Sequence, residues 1–253
     1  MIITLTTDFG RRDSFVGAMK GVVLGIAPQV RIVDIAHEIG PGDIRAAAFA
    51  LMTAAPFFPA GTIHLVVVDP GVGSARRAIG IRCAQATFLG PDNGVLTWAV
   101  KDESSLEVRC LQNPEIRLPR LSATFHGRDL FAPAAAWLAQ GRPFAEIGPE
   151  LTDFHRLDWP RATLVDGGWQ TEIIYVDVYG NAITALSGEQ ATNKQCVLLP
   201  GEQRVPIKPF YSAVSKGSPL AVVGSSGLLE IAINGGEAAK TFNLRPGTQV
   251  LVT

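Results

Sequence analysis

Several short polar motifs in the N-terminal half carry side chains that can bind charged ligands or move protons. TTDFG contains Asp8, DPGVGSARR contains Asp69 and Arg76, GPDNG contains Asp92 and Asn93, and TFHGRD contains His126. Carboxylates and imidazoles serve in proton transfer, and an arginine carries a permanent positive charge. Each motif also has a structural interpretation, because an aspartate can cap a turn and a lone histidine can be a core residue. The positions of these motifs in the fold must therefore decide between the two interpretations.

The spacing of these motifs argues against several common ligand sites. The glycines of DPGVGSARR fit neither the GxGxxG fingerprint nor the phosphate-binding loop, because no Gly-Lys-Ser/Thr follows. The DFG triplet lacks the HRD loop and the strand lysine of protein kinases, so we interpret it as a coincidence. The histidines His37, His64, His126 and His155 show no metal-ligand spacing, and neither HExxH nor CxxC occurs. We therefore expect no bound metal.

Strand-like and helix-like segments alternate through the first half of the chain. MIITLT, VRIVDI, TIHLVVVDP, AIGIRC and ATFLG predict strands. Helices are predicted after a cap at Asp13 or Ser14, after a cap at Asp43, and over DLFAPAAAWLA. This alternation indicates a mostly parallel, Rossmann-like α/β sheet with helices on both faces. Ligands bind beyond the carboxyl ends of such strands, which is where TTDFG, DPGVGSARR and GPDNG lie.

The pattern changes after about residue 150, where proline, glycine and charged residues replace the clear periodicity. Beyond this segment, EIIYVDV, AITAL, QCVLL, PLAVVG, LLEIAI and QVLVT predict short strands with glycine-bearing turns between them. Closely spaced short strands are typical of a small antiparallel barrel or sandwich. We therefore predict an α/β domain over residues 1–155, a linker over 156–168 and a smaller all-β domain over 169–253.

Composition and charge argue against several classes of partner. Hydrophobic residues make up 47% of the chain, which favours an ordered core. Lysine and arginine total 22 against 23 acidic residues, so the basic excess expected of a nucleic-acid or anionic-membrane surface is missing. No apolar run approaches the roughly 20 residues of a membrane span. The three cysteines have no paired spacing, and no leader signature precedes the first strand. We expect a cytoplasmic protein with no nucleic-acid or membrane partner.

Six motifs together are similar to those of one enzyme family. They are MIITLTTDFG, VVVDPGVGSARR, GPDNGVLT, TFHGRDLFAPAAA, DVYGNAIT and VGSSGLLEIAIN, in this order over nearly the whole chain. The chain resembles the S-adenosyl-L-methionine (SAM) hydrolases, also called SAM hydroxide adenosyltransferases, which are relatives of the fluorinating and chlorinating SAM enzymes. The resemblance implies hydrolysis of SAM to adenosine and L-methionine by in-line attack of an activated water on the ribose 5′ carbon. It implies no cofactor, since SAM is the substrate.

The resemblance implies a catalytic triad of Asp69, Arg76 and His126. The halogenating relatives carry a tyrosine in place of the aspartate of VVVDP and a different residue in place of the histidine of TFHGRD. These positions therefore favour water over halide as the nucleophile. Arg76 can stabilise developing hydroxide character, while Asp69 and His126 can orient the water and take up its proton. The sequence does not decide which of these two accepts the proton.

The resemblance also implies substrate contacts in both domains. In the first, Asp8 matches the aspartate that binds both ribose hydroxyls, Asp13 and Ser14 match positions near the methionine part, and Phe125 resembles the apolar wall beside the reacting carbon. The second domain supplies contacts for the methionine and the adenine. They are Asp177 for the ammonium, Asn181 for the adenine edge, Phe210 or Tyr211 for stacking on adenine, Ser225 and Ser226 for the carboxylate, and Tyr179 as a further contact.

Alternatives remain for individual residues and for the whole protein. Asn181 in YGN can form a tight hairpin turn, and the Ser225–Ser226 segment can be an ordinary loop. A halide-dependent adenosyl transferase would not need Asp69 or His126. A non-catalytic SAM- or adenosine-binding protein would leave the whole triad unexplained. In the family the site lies between the N-terminal domain of one subunit and the C-terminal domain of its neighbour within a homotrimer, and the resemblance implies the same assembly here.

Overall fold

Six strands of the first half form one mixed sheet in the computed structural model, which describes residues 1–253. The strands are β1 (Ile2–Thr7), β2 (Arg31–Ala36), β3 (Thr62–Val67), β4 (Ala78–Arg82), β5 (Ala86–Pro91) and β6 (Glu107–Cys110). Their order across the sheet is β2-β1-β3-β5-β4-β6. The first four strands in this order run parallel, whereas β4 is antiparallel to both β5 and β6. The α/β prediction is thereby confirmed.

Helices cover both faces of this sheet. They are α1 (Phe15–Ile26), α2 (Ile44–Ala54) and α3 (Ala132–Ala139), and one π-helical turn over Gly127–Phe131 leads into α3. Alternate residues of the fully buried strand β3 contribute to two different cores. Leu65 belongs to the core with α1 and α3, and Val66 belongs to the core with α2. A parallel strand buried on both faces is usually a nearly continuous apolar run, which explains the residues LVV at the end of β3.

The helix termini agree in position with the predicted caps. At α2, Asp43 Oδ1 accepts a hydrogen bond from Ala46 N at 2.9 Å. At α1, Ser14 occupies the N-cap position, but its side chain makes no capping hydrogen bond. None of the helices combines the length and the apolar character needed to cross a membrane.

The second half is an antiparallel sheet that nearly closes on itself. Its strands are β7 (Thr163–Val165), β8 (Gly168–Val176), β9 (Ala182–Ser187), β10 (Cys196–Leu198), β11 (Arg204–Pro206), β12 (Pro219–Val223), β13 (Leu228–Ile233) and β14 (Gln249–Val252). The order is β11-β10-β14-β8-β9-β13-β12, and β7 pairs with β8 outside this path. A single bridge between Ile207 and Ala221 connects the chain after β11 to β12, so the two edges meet. One helical turn, α4 (Ala238–Thr241), follows β13.

The segment predicted as a linker contains regular structure and a firm attachment to the first unit. The chain divides into compact units between Leu157 and Asp158. Leu157 belongs to the first unit because its N–H donates to Thr97 Oγ1 and its carbonyl accepts from the Trp98 indole, both at 3.1 Å. Farther along, β7 pairs with β8 through a turn at Asp166–Gly167, and Gly167 has a φ of +93°. Glycine adopts this positive φ without steric cost, which suits a two-residue turn.

Candidate functional site

Asp69 and Arg76 lie on the loop that joins β3 to β4. Because β4 runs antiparallel to β5, its first residue lies at the same sheet edge as the carboxyl end of β3. Arg76 Nε donates to Asp69 Oδ1 at 2.9 Å and to Oδ2 at 3.0 Å, and Nη2 also bonds Oδ2. The Arg76 side chain is only 12% exposed and the Asp69 side chain only 4%. The loop therefore holds a nearly buried ion pair in which the guanidinium fork engages both carboxylate oxygens.

His126 joins this pair from a different part of the chain, just before the π-helical turn. Arg76 Nη2 lies 2.8 Å from His126 Nδ1. A guanidinium can only donate, so Nδ1 is the acceptor and the proton of the neutral ring is on Nε2. Burial lowers the pKa of His126, and the positive charge of Arg76 lowers it further, against the opposing charges of Asp69 and Asp129. The imidazole is therefore neutral at pH 7.

Gly73 allows the loop with Asp69 and Arg76 to approach the segment that leads to His126. Its φ is +78°, and a Cβ at this position would lie 2.3 Å from the carbonyl oxygen of Ala123. Any other residue would meet both left-handed backbone strain and a clash with the main chain. Gly73, the second glycine of DPGVGSARR, thus allows the two loops to pack closely.

One cavity of about 530 Å³ collects four of the predicted residues of the first unit, whereas Arg76 does not line it and contacts two of the four. Asp8, Asp69, Phe125 and His126 all line it. The lining is mostly apolar, and a cavity of this size suits a small organic ligand. A carboxylate and a neutral imidazole face the same space, an arrangement that can hold and deprotonate a small polar molecule.

The segment from the end of β1 to the first residue of α1 contributes an aromatic wall to the cavity, and the polar residues expected there do not line it. Phe9 and Phe15 line the cavity, and their ring centroids lie 5.8 and 5.3 Å from that of Phe125. Asp13 and Ser14 are exposed at the beginning of α1 and do not line the cavity. Sequence reasoning missed Phe9 and Phe15 because an apolar residue near a helix start is an ordinary core candidate.

Asp8 is fixed at the cavity by a main-chain contact. Its Oδ2 atom accepts a hydrogen bond from Gly42 N at 2.8 Å. Asp92 and Asn93 of GPDNG do not line the cavity and instead contact residues that flank the Asp69–Arg76 loop. The structure contains no group of three or more His, Cys, Asp or Glu side chains placed to hold a metal ion.

In the second unit, Asp177 and Asn181 build the turn between β8 and β9 together. Asp177 Oδ1 accepts from Tyr179 N at 2.9 Å and from Asn181 N at 2.8 Å. Asp177 Oδ2 accepts from the Asn181 side-chain amide at 2.9 Å. The structural interpretation of the YGN segment is therefore correct, and it does not exclude a binding role, because Asn181 also borders a cavity.

That second cavity, of about 580 Å³, is lined by Tyr179, Asn181 and Tyr211. Phe210 is 56% exposed and does not line it. The Tyr211 hydroxyl donates to Glu230, a strand residue that is only 5% exposed. Burial raises the pKa of Glu230, and the charge of Asp177 raises it further, while the bond from Tyr211 acts in the opposite direction. Sequence reasoning missed Glu230, although a single acid in the apolar run LLEIAI was the available signal.

Ser225 and Ser226 lie in the turn between β12 and β13. Ser225 is exposed, whereas Ser226 Oγ is enclosed by the protein and bonds no protein atom. Neither residue lines the cavity next to Tyr211. The structure thus groups Tyr179, Asn181 and Tyr211 in one place and leaves the two serines apart from them.

Comparison with known proteins gives matches to one family over both units. Residues 3–148 match the SAM hydroxide adenosyltransferase N-terminal domain, and residues 171–251 match the C-terminal domain of the same family. The chain is 40% identical to the (R)-S-adenosyl-L-methionine hydrolase of Salinispora arenicola, with 99% of this chain and 97% of that protein covered. It is 41% identical to the (R)-S-adenosyl-L-methionine hydrolase of Thermus thermophilus, with 96% of each covered.

A solved structure shows the same fold over the full length. It is that of an uncharacterized conserved protein from Thermotoga maritima, with a TM-score of 0.93 and 34% identity, and the match covers 100% of this chain and 99% of that one. The motifs that suggested a family from the sequence thus coincide with both matched domains. This chain belongs to the SAM hydroxide adenosyltransferase family.

Proposed function

We propose that this chain hydrolyses SAM to adenosine and L-methionine by in-line attack of a water molecule on the ribose 5′ carbon. The observation that carries the proposal is the contact of one arginine with both a carboxylate and a neutral imidazole at the wall of a cavity. The names of relatives that align over nearly the whole chain support the same reaction.

The reaction balances with water as the only co-substrate. The water oxygen forms a bond to the 5′ carbon while the bond from that carbon to sulfur breaks. The bonding electron pair goes to sulfur, so the sulfonium becomes the neutral thioether of methionine. One water proton leaves, and the other remains on the new 5′ hydroxyl. Holding the water in line with the leaving sulfur contributes up to roughly 7–11 kcal/mol to lowering the barrier.

The hydrogen bonding around His126 favours Asp69 as the proton acceptor. Since His126 Nδ1 already accepts from Arg76, the ring offers only its Nε2–H, which can donate to a lone pair of the water and orient it. The carboxylate of Asp69 keeps lone pairs beyond those used by Arg76. The growing bond to carbon makes the water protons more acidic, so even a carboxylate paired with arginine is basic enough to take one of them. This transfer takes place during the attack and gives the water oxygen hydroxide character.

Arg76 has three roles in this scheme. Its fork sets the relative positions of Asp69 and His126, and its charge favours the neutral imidazole. The same charge stabilises the hydroxide character that the water acquires as it attacks. We propose that no metal or other cofactor takes part.

Substrate recognition is proposed to use both units. In the first, Asp8 binds the ribose hydroxyls and Phe125 packs beside the reacting carbon. In the second, Tyr179, Asn181 and Tyr211 surround the adenine, since all three line one cavity.

The remaining contacts are proposed for the methionine part. Asp13, Ser14, Ser225 and Ser226 are assigned to it by the family resemblance. Asp177 is assigned to the ammonium, which it would bind with lone pairs not used inside its own turn.

We further propose that the protein is a cytoplasmic homotrimer and that its substrate is the (R) epimer at sulfur. The epimer is the one in the printed names of both hydrolase relatives. A sulfonium is pyramidal, so the two epimers place the methyl group on opposite sides and a shaped cavity can distinguish them. Light scattering should give a particle of three times the 26.9 kDa chain mass.

Hydrolysis in water enriched in heavy oxygen tests the reaction. The purified protein is incubated with each SAM epimer, the products are separated by chromatography, and their masses are measured by mass spectrometry. We expect heavy oxygen at the 5′ hydroxyl of adenosine and faster turnover of the (R) epimer. Unlabelled adenosine, methylthioadenosine, or 5′-haloadenosine as the main product in added chloride or fluoride would each refute attack by water.

A further inference from the structure

The GPDNG motif lies where it can control both ends of the loop that carries the proposed catalytic pair. We call residues 69–76 the catalytic loop. In the sheet, β5 lies between β3, which precedes this loop, and β4, which follows it. Asp92 and Asn93 come directly after β5, at the sheet edge where β3 ends and β4 begins. They are thus placed between the two ends of the loop.

Asn93 holds the first end. Its amide Nδ2 donates to the carbonyl of Val68 at 2.9 Å, and its Oδ1 accepts from Val95 N at 3.1 Å. The Val68 carbonyl belongs to the peptide group that continues directly into Asp69. Val68 itself is fully buried, so this peptide is fixed both by packing and by the amide.

Asp92 holds the second end through the residue after Arg76. Its backbone N–H donates to the Arg77 carbonyl at 2.9 Å, and its Oδ2 accepts from Arg77 Nε at 2.7 Å. Its other oxygen accepts from His155 N at 2.7 Å, and the side chain is only 4% exposed. Arg77 also pairs with Asp153, so its guanidinium is directed to these two acids while Arg76 bonds Asp69.

We propose that Asp92 and Asn93 are positioning residues for the proposed hydrolysis, because they fix the two ends of the catalytic loop and thereby the alignment of Asp69 and Arg76. This inference rests on the proposed function. Neither side chain lines the cavity, so their loss should affect the chemical step and leave substrate binding nearly unchanged. A misplacement of about 1 Å at a reacting group can cost about 100-fold in rate.

Asn113 offers a matched control for Asn93. Its Nδ2 donates to the Glu146 carbonyl at 2.8 Å, and its Oδ1 accepts from Glu115 N at 2.9 Å. In both asparagines the side-chain N–H therefore donates to a backbone carbonyl distant in sequence, and the side-chain oxygen accepts from the backbone N–H two residues later. Asn113→Ala removes the same kinds of bond as Asn93→Ala, but away from the catalytic loop.

Steady-state kinetics of adenosine release from SAM separate the two variants. We expect Asn93→Ala to lower kcat by roughly 10- to 100-fold with KM changed by less than about threefold, while Asn113→Ala keeps the kcat of the unchanged protein. Asn93→Asp retains the acceptor for Val95 N but cannot donate to Val68, so it should lose kcat as well. Asn93→Asp also provides the measurement if Asn93→Ala does not fold.

Two results would overturn the inference. One is an Asn93→Ala kcat within about twofold of that of Asn113→Ala, and the other is a full kcat in Asn93→Asp. If the unchanged protein releases no adenosine, the proposed function fails, and crystal structures of the variants then decide the positioning role. An Asp69–Arg76–His126 arrangement that is identical in Asn93→Ala and Asn113→Ala would refute that role.

Discussion

Substitutions of Arg76 separate the charge of this residue from its geometry. The guanidinium bonds both oxygens of Asp69 and also donates to His126 Nδ1 at 2.8 Å. Arg76→Lys retains the charge, but a single ammonium on a flexible stem cannot reproduce the planar fork. Arg76→Ala removes both the charge and the fork. The pair of variants therefore distinguishes electrostatic stabilisation from alignment.

The contacts set the expected magnitudes. Arg76→Ala should lower kcat by about 10²- to 10³-fold, the range observed when one preorganised donor is removed from an active site. Because the Asp69 side chain is only 4% exposed, losing its partner leaves a buried charge uncompensated. The free energy of unfolding should then fall by about 3 kcal/mol. Arg76→Lys should retain most of the free energy of unfolding of the unchanged protein. Its kcat should be about a tenth of that of the unchanged protein or less.

The pH dependence gives an independent measurement on the same variants. The pKa of His126 is lowered by burial first and by Arg76 second, and the neutral ring is the active form in our scheme. Activity should therefore persist below pH 6.5, the ordinary value for histidine, and decline only as the pH falls through the lowered pKa. Removing the charge in Arg76→Ala raises this pKa, so the acid limb of kcat/KM moves to higher pH. In Arg76→Lys it should stay near its original position.

The assay is adenosine release followed by chromatography between about pH 5 and 9, with urea unfolding of each variant at pH 7. A kcat in Arg76→Lys equal to that of the unchanged protein would show that the fork is unnecessary. An acid limb that does not move in Arg76→Ala would show that the arginine charge does not control His126. Either result would refute the corresponding part of the reasoning.

Further predictions concern His126, Gly73 and His64. His126→Gln retains a side-chain N–H and should keep at least about tenfold more kcat than His126→Ala. Gly73→Ala should lower both kcat and the free energy of unfolding by more than Gly61→Ala, since both glycines have positive φ but only Gly73 would bring a Cβ within 2.3 Å of a main-chain oxygen. Burial lowers the pKa of His64 to about 4, so the unfolded chain binds its proton first. Stability should be full above about pH 6.5 and decrease by up to about 3 kcal/mol toward pH 4, a loss absent from His64→Phe.

The three measurements are kcat for the His126 pair, kcat and urea unfolding for the glycine pair, and urea unfolding against pH for His64. Equal rates in His126→Gln and His126→Ala would remove the donor role of the ring. Equal effects of the two glycine substitutions would mean that the approach to Ala123 is not tight. Identical pH profiles for His64→Phe and the unchanged protein would exclude His64 as a source of acid sensitivity.

Much of the fold could be predicted from local patterns. Apolar runs predicted β1, β3 and β5, and the candidate caps at Asp13 or Ser14 and at Asp43 predicted the starts of α1 and α2. These features depend on the chain's own neighbours, so sequence is sufficient. The strands β6, β7 and β11 were missed because they are short and contain charged or exposed residues, so that their pairing partners rather than their own hydrophobicity make them strands.

The sequence by itself determined the fold class, the placement of Asp8 and Asp69 after strands, and the motif order that the family shares. Only the tertiary structure decided that one guanidinium contacts both Asp69 and His126, which ring nitrogen accepts, and that Asn93 reaches the peptide before Asp69. These contacts join residues up to fifty positions apart. The Asn93 contact arises because β5 is inserted between β3 and β4, and the His126 contact arises because a distant segment packs against the loop between these strands; no local pattern contains either arrangement.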